Sequence, residues 1–272
     1  MRIVVCVKEV LDPDAVNALV LTGQLSIGPD GKTIEEGAIT RVINGYDEQA
    51  IEAALRLRDA GVDCQIIAIS VGEDPINVLR YALALGADEI VSIPARDLDC
   101  LGVARVIAEY IRSSGGADLV LCGRQASDDD QGIMGPALAE LLGIPVVLSA
   151  RALSIETDGA GEGPALHVTV VTPYGEEVWE LPLPAVVTIT SELGQPRYPP
   201  AARAIKARRA MPQVVTPQEL GLGPGDLEPR VVLERLQVVQ VEGHCQMISG
   251  DGADDTAAKL LEVLQRDGLV KL

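Results

Sequence analysis

The sequence contains no phenylalanine, one tryptophan and five tyrosines, so aromatic residues make up 2% of its 272 positions. A platform for stacking nucleic-acid bases is therefore absent. Positive charge is also scarce: 22 Lys and Arg stand against 40 Asp and Glu, a formal net charge of −18. Such a chain repels phosphate backbones, which argues against nucleic acid as a partner. The two histidines, His167 and His244, have no cysteine or carboxylate at metal-ligand spacing, so no zinc site is expected. The five cysteines (Cys6, Cys64, Cys100, Cys122 and Cys245) form no CxxC pair. Cys6, Cys64 and Cys122 sit in or beside apolar runs as core thiols, a pattern that suits a reducing cytosol and a cytoplasmic location. No stretch reaches the roughly 20 apolar residues of a membrane span, and the apolar run at the start is too short for a signal peptide. GxSxG, HExxH, the Walker A lysine and GxGxxG are all missing, and no nucleophile stands beside a base. A stand-alone hydrolase therefore has no recognisable catalytic set.

What is present is an alternation. The β-branched run from Arg2 to Val7 reads as a strand buried on both faces. Lys8 to Pro13 reads as a loop, and residues 14–43 as a hairpin-like excursion with turn chemistry at Pro29-Asp30-Gly31. Asn44-Gly45-Tyr46-Asp47 opens a helix that Asn44 or Asp47 can cap. Strands follow over 64–71, 89–93, 119–122 and 144–148, separated by helices over about 75–85, 101–111 and 137–142. Strands alternating with helices through short connections predict an α/β fold: a five-stranded parallel sheet with helices on both faces. In such sheets ligands sit beyond the carboxyl ends of the strands, where the strand order reverses.

That rule gathers Val7 and Lys8, Asn44 to Asp47, Val71 and Gly72, and the loop Ala126 to Gly135 into one crevice. The last segment lies in Gly123-Arg-Gln-Ala-Ser-Asp-Asp-Asp-Gln-Gly-Ile-Met-Gly-Pro136, a Gly-containing loop between a strand and a helix. Free backbone N–H groups at such a helix start can meet a phosphate, and Pro136 is tolerated in the first turn. The plain alternative is an ordinary loop with an acidic cap. Asp128, Asp129 and Asp130 argue against a simple phosphate cradle and suit a cap or ribose hydroxyls.

The rhythm changes after about residue 150. Segments 165–171, 177–181 and 185–189 read as a small β-meander. From Gln195 the chain turns Pro- and Arg-rich, which fits either a solvated linker or an arm laid over another subunit. Thr256 to Arg266 reads as a final helix. The domain reading is residues 1–194 for the α/β domain with its β extension (meander about 165–190) and 195–272 for the C-terminal arm and terminal helix.

Taken together, several segments resemble one family, the β subunit of electron-transfer flavoprotein (the FixA-like family). They are Arg2-Ile-Val-Val-Cys-Val-Lys-Glu-Val10, Asn44-Gly-Tyr-Asp47 with Ala50 to Leu55, Leu83-Ala-Leu-Gly-Ala-Asp88, Gly123-Arg-Gln-Ala126 with Asp128 to Asp130, and Leu183-Pro-Ala-Val-Val-Thr188 followed by Gln195-Pro-Arg-Tyr198. The resemblance runs from residue 1 to about 210. It implies a heterodimer with an α subunit, FAD shared with that subunit, and AMP or a second FAD in the β subunit. The nucleotide contacts it implies are Cys6 (backbone), Asn44, Gly45, Tyr46, Asp47, Val71 and the run Ala126, Ser127, Asp128, Asp129, Asp130, Gln131, Gly132, Ile133, Met134, Gly135 and Pro136. It also implies a docking loop for an acyl-CoA dehydrogenase or another flavin dehydrogenase, with Leu193 as its anchor. A quinone oxidoreductase or ferredoxin is the implied acceptor, and a bifurcating, NADH-oxidising complex is implied if a second FAD is bound. On this reading the chain is an electron carrier, with no catalytic residue of its own. The alternative from the residues alone is a non-redox adenine-nucleotide-binding α/β protein of the stress or sensor type.

Overall fold

The structure is a computed structural model that describes residues 1–37, 39–156, 164–238 and 245–271. It divides into two units, Met1–Leu236 and Gln237–Leu272. The first is built on a nine-stranded sheet. In its interior β1 (Arg2–Cys6) is flanked by β4 (Gln65–Gly72) and β6 (Leu119–Gly123), with β5 (Glu89–Pro94) beyond β4. All run parallel. The runs are Ile- and Val-rich because both faces are covered. Ile3 and Val5 of β1 pack against α2 (Gly45–Asp59) and α3 (Ile76–Leu85) on one side. Val4 and Cys6 pack against α4 (Cys100–Ser113) and α5 (Met134–Leu142) on the other. Each buried aliphatic side chain there contributes about 1.5–3 kcal/mol.

Three local differences from the sequence reading have clear causes. Residues 8–43 hold more structure than a loop and a hairpin: β2 (Glu9–Leu11) pairs with β3 (Arg41–Ile43), and α1 (Pro13–Leu21) lies between them. Asp12 caps α1 by accepting from the N–H of Asp14 at 3.0 Å, and Pro13 opens it, a helix start by residue type. The turn at Pro29 to Gly31 is closed by a bridge between Ile27 and Ile34.

The strand expected to end the meander, β10 (Ala185–Ile189), runs elsewhere. It inserts parallel between β6 and β7 (Val146–Glu156). All five of its residues are buried, which suits the interior of a parallel sheet and not an exposed hairpin. Only β8 (Ala165–Thr172) and β9 (Gly175–Pro182) continue antiparallel from β7.

From Gln195 to Leu236 the chain lies on its own domain. The helix α6 (Ala201–Ala207) packs along α3, β11 (Gln213–Val214) joins the β5 edge, and Leu222 enters the second core. In the second unit α7 (Ala253–Arg266) has no buried residue and carries Asp254 and Asp255 in its first turn. No described helix is long and apolar enough to cross a membrane.

Candidate functional site

The sheet fixes where a ligand can go. From β1 the chain crosses to β4 on one side, and later returns to β6 on the other. The loops that leave β1 and β6 therefore part at this point. A cleft of about 300 Å³ opens there, above the carboxyl ends of β1, β4, β5 and β6. Its floor is apolar, made by Cys6, Ile69, Val71, Leu98, Val103, Ile107 and Cys122. Its rim is polar, with Lys8, Asn44, Asp47, Asp97, Asp99, Arg124, Gln125 and Asp129.

The first turn of α2 organises the rim. Asn44 is 1% exposed. It stands at the N-cap position, but its side chain makes no capping bond to the helix. It reaches the β6–α5 loop instead: Nδ2 donates to the carbonyl of Gln125 at 2.8 Å, and Oδ1 accepts from the N–H of Ser127 at 3.2 Å. One turn on, Asp47 is 7% exposed. Its Oδ2 accepts from the N–H of Lys8 at 2.8 Å and its Oδ1 from the N–H of Gly123 at 3.0 Å. Asp47 thus bridges the segment that leaves β1 and the end of β6. Gly123 has to be glycine, because a Cβ there would overlap the Asp47 carboxylate and the Tyr46 backbone. Burial pushes the Asp47 carboxyl up to about 7, against these bonds and the charge of Lys8.

The opposite lip is held by charge. Lys8 Nζ lies 2.7 Å from Asp128 and 3.4 Å from Asp129. Burial works against the ammonium, but the two carboxylates outweigh it and the Lys8 pKa lies above its ordinary value. Across the loop Gln125 donates to Asp130 at 2.7 Å, and the N–H of Asp130 bonds the carbonyl of Ala126. Arg124 is exposed on the wall, with no side-chain partner among the described residues.

Of the residues singled out from the sequence, Cys6, Asn44, Asp47, Val71, Ala126, Asp129, Gln131, Gly132, Ile133 and Met134 line the cleft. Gly45, Tyr46, Ser127, Asp128, Asp130, Gly135 and Pro136 do not form its wall. Gly135 serves packing, since a Cβ there would run into Thr188 of β10. One wall escaped the sequence reading: the β5–α4 loop, with Ala95, Asp97, Leu98, Asp99 and Cys100. The rule that places loops at the carboxyl edge applies to β5 as well and would have found it. Asp99 caps α4 through the N–H of Gly102 at 2.8 Å and also accepts from the N–H groups of Arg230 and Val231. It ties the late segment of the chain to this wall.

Leu193 lies away from the cleft, in a short 3-10 turn over 191–193. Its side chain is 7% exposed and belongs to the core beneath α2. The exposed residues of that turn are Ser191, Glu192 and Gly194. Among the described residues no cluster of three or more His, Cys, Asp or Glu could hold a metal ion.

Comparison with known proteins gives the cleft its context. The sequence model of the electron transfer flavoprotein domain family matches residues 31–220. The electron transfer flavoprotein subunit beta of Megasphaera elsdenii is 33% identical over 219 residues, 77% of this chain and 76% of the relative. The human electron transfer flavoprotein subunit beta is 31% identical over 272 residues, 97% of this chain and 98% of the relative. The acryloyl-CoA reductase electron transfer subunit gamma of Anaerotignum propionicum is 36% identical over 208 residues, 73% and 71% respectively. A family match across most of the domain, with relatives aligned along most of their own length, makes this chain a member of the β-subunit family of electron-transfer flavoproteins.

Proposed function

We propose that the chain pairs with an electron-transfer flavoprotein α subunit and carries electrons between a flavin dehydrogenase and an acceptor. On this reading the cleft holds an adenine nucleotide: AMP, or the AMP portion of a second FAD. A flavin bound in the complex supplies the electron chemistry, and the protein supplies binding and electrostatics. The observation that carries the reading is the convergence of five segments, distant along the chain, on one cleft at the reversal of strand order.

The residues fit such a ligand. Ile69, Val71, Leu98, Val103 and Ile107 offer an apolar slot for a base. Asp97 and Asp129 on the rim offer carboxylate oxygens that could accept from ribose hydroxyls. The start of α5 has no side-chain cap, so its free N–H groups, with Arg124 nearby on the wall, can meet a phosphate. The volume, about 300 Å³, stands at the low end of small-molecule sites. It suits a mononucleotide, and a dinucleotide would have to extend beyond the rim. The related proteins are electron-transfer subunits, so the non-redox sensor alternative finds no support among them. Docking of a dehydrogenase is assigned to the turn around Leu193, whose buried side chain holds the turn in shape.

The test is to co-purify the chain with its partner, release the ligands by heat and count them. One flavin and one AMP per heterodimer are expected. Two flavins would move the reading to the bifurcating kind, with NADH as a candidate donor and a ferredoxin as a candidate acceptor; a quinone oxidoreductase is the candidate acceptor of a simple carrier. A colourless chain without nucleotide would overturn the reading.

A further inference from the structure

The floor of the cleft holds two thiols side by side. Cys6 ends β1, and Cys122 is the last residue but one of β6. The two strands pair in register from Ile3 beside Leu119 to Val5 beside Leu121, so the next step along both sets Cys6 beside Cys122. The same row continues to Ile69 of β4 on one side and to Thr188 of β10 on the other. Neighbours in one row of a parallel sheet point to one face. Both thiols accordingly face the second core and line the cleft, and neither is in a disulfide.

We propose that Cys6 and Cys122 form a two-coordinate site for a soft divalent ion of the mercuric type, and that an ion held there takes the floor of the nucleotide cleft and blocks the ligand. The ion site stands on the two thiols alone. The block rests on the nucleotide reading given above.

Spacing, softness and charge select the ion. Adjacent strands lie about 4.8 Å apart, close to twice a metal–thiolate bond of about 2.3 Å, so one ion fits in line between two sulfurs. Thiolates favour soft ions. Zinc takes four ligands, and among the described residues no group of three or more His, Cys, Asp or Glu is available. Cys100, the other thiol of the cleft, opens α4 on a different wall. A cuprous or silver ion would leave a buried complex with one net negative charge, close to Asp47, whose charge already acts on Cys122. A divalent ion with two thiolates is neutral. Neutrality suits a floor made of Ile69, Val103 and Ile107, where a net charge is costly.

The empty site holds neutral thiols, because the bond from Cys6 and burial push the Cys122 thiol well up. Binding forms two metal–sulfur bonds, breaks two S–H bonds and releases two protons to solvent. No electron moves. Cys6 is 7% exposed and Cys122 1%, so the way in is the open cleft. A nucleotide seated there covers that route, and ion and nucleotide exclude one another.

The experiment uses the full heterodimer, stripped of nucleotide, reduced and kept free of oxygen. Mercuric ion is supplied in an excess of 2-mercaptoethanol, a monothiol that withholds it from isolated cysteines but not from a paired dithiol. Wild type should retain one ion more per heterodimer than Cys6→Ala or Cys122→Ala, and Cys100→Ala should retain as many as wild type. Equal retention in all four proteins, or a loss confined to Cys100→Ala, would overturn the site. If the alanine variants fail to fold, wild type decides by itself: digestion and mass spectrometry of the loaded chain should find the ion joining the peptides of Cys6 and Cys122, and an ion on any other pair would overturn the site. The loaded heterodimer should also lose adenosine binding and regain it when dithiothreitol removes the ion. An ion held by the pair with adenosine bound as before would overturn the block. An ion held by the pair in a heterodimer that never binds adenosine would support the site and overturn the nucleotide reading instead.

Discussion

The first turn of α2 and its second half each hold a distant loop in place, by different means. At the first turn, Asn44 and Asp47 are buried and bind backbone N–H and carbonyl groups of the strand ends. In the second half, Glu52 is buried between two arginines. Arg56 Nε lies 2.8 Å from it and Arg197 Nε 2.7 Å. Arg56 also donates to the carbonyl of Leu193 at 2.6 Å, and Arg197 reaches Asp59 at 2.6 Å. The arginine side chains remain 42% and 34% exposed. One end of the helix thus works by geometry in a dry place, and the other by charge at the edge of water. The dry end suits a site that must keep its shape, and the wet end leaves the turn over 191–193 open to solvent.

The largest expected effect comes from the wet end's hidden anchor. Leu193 is 7% exposed and packs in the core with α2. Leu193→Ala should cost about 2–5 kcal/mol of stability, the usual range for truncating a buried leucine, read by denaturant unfolding. Flavin should stay bound to the complex while electron delivery from a dehydrogenase slows, because the turn loses its support. Unchanged stability would show that the side chain is not core, and unchanged transfer would remove the turn from docking.

The next effect separates charge from packing at the same end. Glu52 suffers most from burial, but Arg197 and Arg56 more than offset it, and its pKa lies below the ordinary value. A depressed carboxyl pKa contributes stability above the unfolded value and loses it as pH falls through the folded one. Glu52→Gln should therefore cost about 1–2 kcal/mol at pH 7, after allowing for the exposed arginines. The difference from wild type should shrink below pH of about 4. A gap that persists at pH 3 would assign the loss to packing.

The sheet itself was legible because β1, β4, β5 and β6 are apolar on both faces, a pattern that only a covered parallel sheet allows. The meeting of distant loops followed from topology, and the cleft joins the segments after β1, β4 and β6 to the start of α2. The place of β10 was not legible, because its buried run names no neighbour: its partners in β6 lie 66 positions earlier, Ala185 beside Leu119, and β7 forms its other side. The burial of Leu193 depends likewise on α2, more than 130 residues away. By residue type Asn44 or Asp47 caps α2, and tertiary context directs the side chain of Asn44 to Gln125 and Ser127 and that of Asp47 to Lys8 and Gly123. Asp12-Pro13 did carry the signal for α1, but the glycines of the excursion outweighed it in a local reading.

The smallest effect tests whether the cleft's other lip belongs with the dry end or the wet one. Lys8 pairs with Asp128 and Asp129, and the three side chains are 43%, 40% and 39% exposed. Water screens such pairs, so Lys8→Ala should change stability by less than about 1 kcal/mol. The difference should fade further at 1 M salt, where the screening length is about 3 Å. A raised lysine pKa keeps its contribution intact below the ordinary value, about 10.4, and the contribution is lost only as pH rises beyond it. A Lys8→Ala loss above about 2 kcal/mol would exceed what exposed pairs contribute. Both lips would then act as structural clamps, and the contrast between a buried strand junction and a water-exposed acidic loop would fail.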